Sequence, residues 1–129
     1  MNERLPFTTD VNDFDYASGL LSLQGQQLFL QMEVKDGFTE APKTDLQEIT
    51  IQLHQLEKVV LKSNFFRVKL ILYTNDLKVA KQVPGYQNNV IKLKIPKKQA
   101  INAKKLAAEL QLGISEIQLR NAQRNRTNS

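Results

Sequence analysis

Between Gly19 and Ile95 apolar and polar positions alternate in short runs, the period-two signature of strands with one buried face. "GLLSLQ" runs into a tight turn at Gly25, and the return "QLFLQMEV" sets Leu28, Leu30, Met32 and Val34 against Gln and Glu, which predicts a hairpin. A loop, "KDGFTEAPKTD", is broken by Gly37 and Pro42, and its Phe38 is expected to pack. "LQEITIQL" then turns Ile49, Ile51 and Leu53 inward. "EKVVLKSNFFRVKLILYTND" predicts two more strands joined near Ser63 and Asn64. Val59 and Leu61 face inward on the first, and Phe66, Val68, Leu70 and Leu72 on the second. Asn75 and Asp76 read as a turn, "LKVAKQ" as a sixth strand, and "VIKLKI" as a seventh with Ile91, Leu93 and Ile95 inward.

The period changes after Ile95. "IPKKQAINAKKLAAELQLG" has Pro96 where a missing amide costs nothing and Gly113 where a helix commonly stops. At about 100° per residue, Ala100, Ala103, Leu106, Ala107 and Leu110 fall on one stripe, with Lys98 and Lys105 on the far side. Residues 1–16 are acidic, broken by Pro6, and read as a flexible arm. Residues 17–112 form the folded domain, and 113–129 a C-terminal extension ending in a disordered polar tail.

Seven short antiparallel strands cannot bury their apolar faces as one flat sheet, so a mainly β (α+β) barrel or sandwich capped by the amphipathic helix is expected. This element order, with "GLLSLQGQQLFL" opening, "ITIQLHQLEKVVLKS" in the middle and "VIKLKIPKKQAINAKKLAAEL" closing, resembles the pleckstrin-homology-like superfold, nearest to its bacterial and GRAM-type members. The resemblance implies two orthogonal sheets, a helix plugging one end, and binding or scaffolding rather than catalysis. Relatives of that kind that bind phosphoinositides use bases around the first hairpin, whereas the turn here is "QGQQ", with no Lys or Arg between Arg4 and Lys35.

Charge divides the chain. Residues 1–57 hold ten acids and three bases, and residues 58–129 hold three acids and fifteen bases, within an overall net charge of +5. An anionic partner for the second half is one reading: an acidic protein or peptide, an anionic membrane surface, or nucleic acid. Mutual cancellation of two packed halves is the other. The absence of cysteine excludes disulfides and thiol chemistry. The acidic N-terminus lacks the basic start and apolar run of a secretory signal, and the protein is expected to be cytoplasmic. No cofactor or metal is expected. His54 is the single histidine, and Asp10, Asp13 and Asp15 lack the glycine and distal glutamate of a calcium loop. The expectation is therefore a non-enzymatic interaction module.

Two further surfaces follow. "KKLAAELQLGISEIQLRNAQRNR" loosely resembles a helix-turn-helix, the alternative reading being nucleic-acid binding through this basic segment. Ile101, Ala108 and Leu112 form a minor apolar stripe that either Ile117 and Leu119, folding back, or a second subunit must cover, with the homodimer favoured. The resemblance also implies a peptide groove between a strand edge and the helix. Here that assigns Arg67 and Lys69 on "FRVKLILY", together with Lys97, Ile101, Lys104 and Ala108 on the helix, to a partner-binding site.

Overall fold

A computed structural model describes residues 4–127. The protein is mainly β, one seven-stranded antiparallel sheet with a C-terminal helix against it. The strands are β1 (Leu5–Asp10), β2 (Asp15–Gln24), β3 (Gln27–Asp36), β4 (Gln47–Gln52), β5 (Leu56–Ser63), β6 (Val68–Thr74) and β7 (Val90–Ile95). The helices are α1 (Leu77–Ala80) and α2 (Ala100–Thr127), with single tight helical turns at 53–55 and 97–99. The spatial order is β4-β3-β2-β1-β7-β6-β5. Pairing of β1 with β7 is confined to Thr8 opposite Lys94, whereas the neighbouring ladders run the length of their strands. The sheet is thus a four-stranded half and a three-stranded half joined at a narrow seam. Among the described residues no ladder joins β4 to β5, so the sheet is not closed.

Alternation places the core as expected along most strands. Leu28, Leu30 and Met32 on β3, Ile49 and Ile51 on β4, Leu70 and Leu72 on β6, and Ile91 and Leu93 on β7 are buried together. α2 adds Ala103, Leu106, Leu110 and Ile114 to the same cluster, a spacing of three or four residues that sets one helical face on the sheet. The helix also covers the free edge of β5. The Gln111 Oε1 accepts from the Val59 amide at 3.0 Å, and the Gln118 Nε2 donates to the Glu57 carbonyl at 3.0 Å. These glutamines satisfy backbone groups that an edge strand otherwise offers to another chain.

Several expectations are corrected. Residues 5–10 are a strand rather than part of a flexible arm, because Leu5, Phe7 and Thr9 point into the core from alternate positions. Pro6, which has no amide to donate, sits beside the sparsely bonded seam. "LKVAKQ" is not a strand. The Asp76 carboxylate accepts from the Lys78 amide at 2.9 Å and caps α1, and Val79, Ala80 and Val83 are buried at helical spacing. The strand count of seven is therefore reached with a different set of strands. Phe66, expected inside, and Phe38, expected packed, are 80% and 81% exposed.

α2 does not stop at Gly113. It continues unbroken to Thr127, so the extension expected to be disordered is helical over its described residues, and the turn that a helix-turn-helix requires is absent. Gly113 serves proximity instead of termination. A Cβ there would lie 2.6 Å from Leu53 Cδ1, so the bare backbone lets the helix press onto the turn between β4 and β5. Gly19 has the stricter task, since a Cβ on it would collide with the backbone carbonyl of Gln31 on the paired strand.

Two substitutions separate these roles. Gly19→Ala meets backbone that cannot rotate away and should lower the melting temperature sharply. Gly113→Ala meets only a side-chain tip, and the helix propensity gained, up to about 1 kcal/mol, should offset much of the crowding. Leu110→Ala removes a fully buried side chain and should cost about 2 to 5 kcal/mol by denaturant unfolding. Equal effects for the two glycines would show that β2 and β3 do not approach as described.

Candidate functional site

The basic half of the sheet carries its lysines in a defined lattice. Opposite residues on the outer face of β5, β6 and β7 form rows: Lys62, Lys69 and Lys94 in one, Val60, Ile71 and Lys92 in the next, and Lys58, Tyr73 and Val90 in the third. Ile71 is 4% exposed although it faces away from the core. Lysine stems on such a face can lie along apolar surface while their heads reach water. The Lys58 Nζ stands 4.6 Å from the centre of the Tyr73 ring, a cation–π contact on the same face. Like charges directly opposite one another disfavour pairing, so the first row concentrates positive charge at a cost to the sheet. Among the described residues, Lys94 is the member of that row with an ion-pair partner, Asp10 across the seam at 2.7 Å.

This row ends at the β5–β6 hairpin, whose tip is shaped by Asn64. The Asn64 Oδ1 accepts from the Phe66 amide at 2.9 Å and the Arg67 amide at 2.7 Å, while the Asn64 amide donates to the Arg67 carbonyl at 2.9 Å. An asparagine closing a turn on its own backbone is favourable locally, and here it turns two phenylalanines outward. Phe65 and Phe66 are 84% and 80% exposed, their rings edge-to-face with centroids 5.0 Å apart. Behind the tip, Lys97 Nζ donates to the Asn64 carbonyl at 2.6 Å and to Ser63 Oγ at 3.0 Å, tying the entry of α2 to the hairpin.

Two depressions flank the tip. The larger, about 640 Å³, crosses the seam with Pro6, Leu20 and Pro96 in its lining and Phe66, Arg67 and Lys97 among its residues. The smaller, about 300 Å³, is lined by Lys62, Ser63, Asn64, Arg67 and Lys69 and has no acidic residue in its wall.

Of the six residues assigned from sequence, Arg67, Lys69 and Lys97 come together around this hairpin. Ile101, Lys104 and Ala108 line neither depression and lie exposed on α2. The edge-strand groove is corrected. "VKLILYT" is β6, bonded on both sides, because the missed β1 shifts the strand count, and the true edge at β5 is met by Gln111 and Gln118. Lys62, Lys94, Phe65 and Phe66 were not assigned from sequence. The signal for the aromatic pair was present in "SNFFR", where Asn64 favours a turn and two adjacent rings cannot both face one core.

The acidic cluster near the N-terminus serves structure. Asp10 goes to Lys94 and Asp15 to Lys43 at 2.8 Å, so two of the three aspartates of the candidate cation loop take separate partners. No group of three or more metal-ligating side chains occurs among the described residues. His54 is exposed, and its carbonyl accepts from Asn75 Nδ2 at 2.7 Å. The hydrogen bonds from Lys43 and Asn12 hold the Asp15 carboxyl below its ordinary value, and the Thr39 and Phe38 amides do the same for Asp36. No helix among the described residues is long and apolar enough to cross a membrane. Compared with known protein families, curated proteins and solved structures, the chain matches none.

Because both carboxyls titrate lower folded than unfolded, their contribution is fully present above about pH 4, the unfolded aspartate range, and is lost as pH falls through the folded values. Asp15→Asn should therefore flatten the acid limb of the stability curve below about pH 4 and leave its slope at neutral pH unchanged, as read by denaturant midpoints across pH. An acid limb as steep as that of wild type would remove Asp15 from this role.

Proposed function

We propose that the protein is a non-enzymatic, pleckstrin-homology-like interaction module that docks on an anionic membrane surface through the β5–β6 hairpin. Two meanders, β1 to β4 and β5 to β7, joined at the β1–β7 seam, and the helix over the open side support the fold assignment. The carrying observation for function is the tip itself: two adjacent, almost fully exposed phenylalanines backed by Lys62, Arg67, Lys69 and Lys97. An aromatic pair has its apolar faces in the bilayer interface while neighbouring bases meet anionic head groups. This combination favours a lipid surface, into which both adjacent rings can insert together, over an acidic peptide. Each ring removed from water contributes roughly 1.5 to 3 kcal/mol and each base near an anionic surface about 1 kcal/mol. Nucleic-acid binding through a helix-turn-helix loses its structural basis in the continuity of α2.

The test is co-sedimentation with vesicles of phosphatidylserine and phosphatidylcholine, against vesicles of phosphatidylcholine alone, at low and physiological salt. Wild type should bind the anionic vesicles, with affinity falling as salt rises. Phe65→Ala combined with Phe66→Ala should weaken binding more than about tenfold, and Arg67→Glu combined with Lys69→Glu should abolish it. Equal binding to both vesicle types, or binding unaffected by loss of the rings, would refute the proposal. So would a preference for duplex DNA that survives loss of the rings.

A further inference from the structure

One face of α2 is turned to solvent and carries apolar residues in register. Ile101, Leu112 and Leu119 are 72%, 62% and 60% exposed, and Ala108 is exposed between them. At about 100° per residue all four fall within roughly 40° of one another. At 1.5 Å per residue the stripe is about 27 Å long. Folding back of Ile117 and Leu119 to cover it is ruled out by the geometry of α2. The helix is continuous, Ile117 packs against the core, and Leu119 extends the exposed stripe.

The order of side chains identifies what covers it. Ile101 and Leu119 stand equally far before and after Leu110, and so do Ala108 and Leu112. A two-fold axis at the middle of an antiparallel helix pair brings each residue opposite the one equally distant on the other side, so that Ile101 meets Leu119 and Ala108 meets Leu112 of the second copy. Lys105 and Glu116 occupy the same flank of the stripe, about 40° and 60° from its centre, and nearly equal distances from Leu110. The axis that seats the apolar residues therefore sets Lys105 of each copy beside Glu116 of the other. Among the described residues neither has an ion-pair partner within its own chain. Ala108 keeps the centre narrow enough for close approach, and Leu112 fills it. A parallel pair would instead bring the Lys104 and Lys105 steps of two copies level, like charge against like.

We infer that α2 is the interface of a homodimer, an antiparallel two-fold helix pair seated on Ile101, Ala108, Leu112 and Leu119. This surface is separate from the hairpin and does not depend on its proposed function. Sedimentation velocity of the full chain over a concentration series should show a monomer–dimer equilibrium. Leu112→Glu, which places two charges at the centre of the pair, should give a monomer with unchanged circular dichroism, since the side chain is exposed in the single chain. Lys105→Glu and Glu116→Lys should each weaken the dimer by about tenfold, because the symmetry makes every substitution act twice. The two combined should restore it. A wild type that stays monomeric at the highest concentration would overturn the dimer and leave the stripe to another occupant. A dimer that the combined swap fails to restore would overturn the antiparallel register.

Discussion

The contact between α2 and the gap separating β4 from β5 is the constraint on which the rest of the structure depends. Without a ladder between those strands, the core of an open sheet would be wet along one side. Ala103, Leu106, Leu110 and Ile114 fill that side, and Gly113 lets the backbone come down onto Leu53 at the connection between the two strands. One interaction thereby seals the core, ends the sheet and fixes the helix axis. The glutamines at 111 and 118 follow from it, since a helix held at that distance can reach the amide of Val59 and the carbonyl of Glu57.

Covering the gap in this way decides which surfaces remain open to partners. The β5 edge is met at Glu57 and Val59 by side chains of α2, so strand addition at those positions would have to displace the helix. The β5–β6 hairpin projects past the region that α2 covers, and Lys97 anchors its base to the chain entering the helix. Rigid support behind an exposed aromatic tip differs from a floppy loop that happens to carry phenylalanines. The opposite face of α2 is equally defined, because the side buried against the core dictates by helical periodicity which side is not.

Legibility of the fold tracked the strength of periodic signals. β3, β4, β6 and β7 were readable because three or more inward residues alternate without interruption, and the buried stripe of α2 because alanine and leucine recur at helical spacing. β1 was not, since Leu5, Phe7 and Thr9 make a brief alternation containing a proline and a polar inward residue. Gly113 was misread for a physical reason: a glycine that ends a helix and a glycine that admits a neighbour look alike until the neighbour, Leu53, is known. At the site, Arg67 and Lys69 were found by parity, but extending that same parity back from Val68 put Phe66 inside, whereas the turn at Asn64 interrupts the alternation. Lys62 and Lys94 join them only through cross-strand register, which no single stretch of sequence contains.

The division of charge along the chain becomes a division in space. The strands β1 to β4 come from the acidic stretch and β6, β7, α2 and most of β5 from the basic one, so the seam between β1 and β7 is also the boundary between the two signs. Of the ion pairs formed by the acidic half, Lys35 with Glu33 and Lys43 with Asp15 stay within it, and Lys94 with Asp10 crosses the seam. Among the ion pairs described, Lys94 with Asp10 is the one that bridges the two halves. The resulting molecule is electrically polar, and a polar molecule approaching a charged surface is turned before it touches. Its basic half carries the two exposed phenylalanines of the β5–β6 hairpin, so charge and exposed aromatic surface coincide at one end of the sheet.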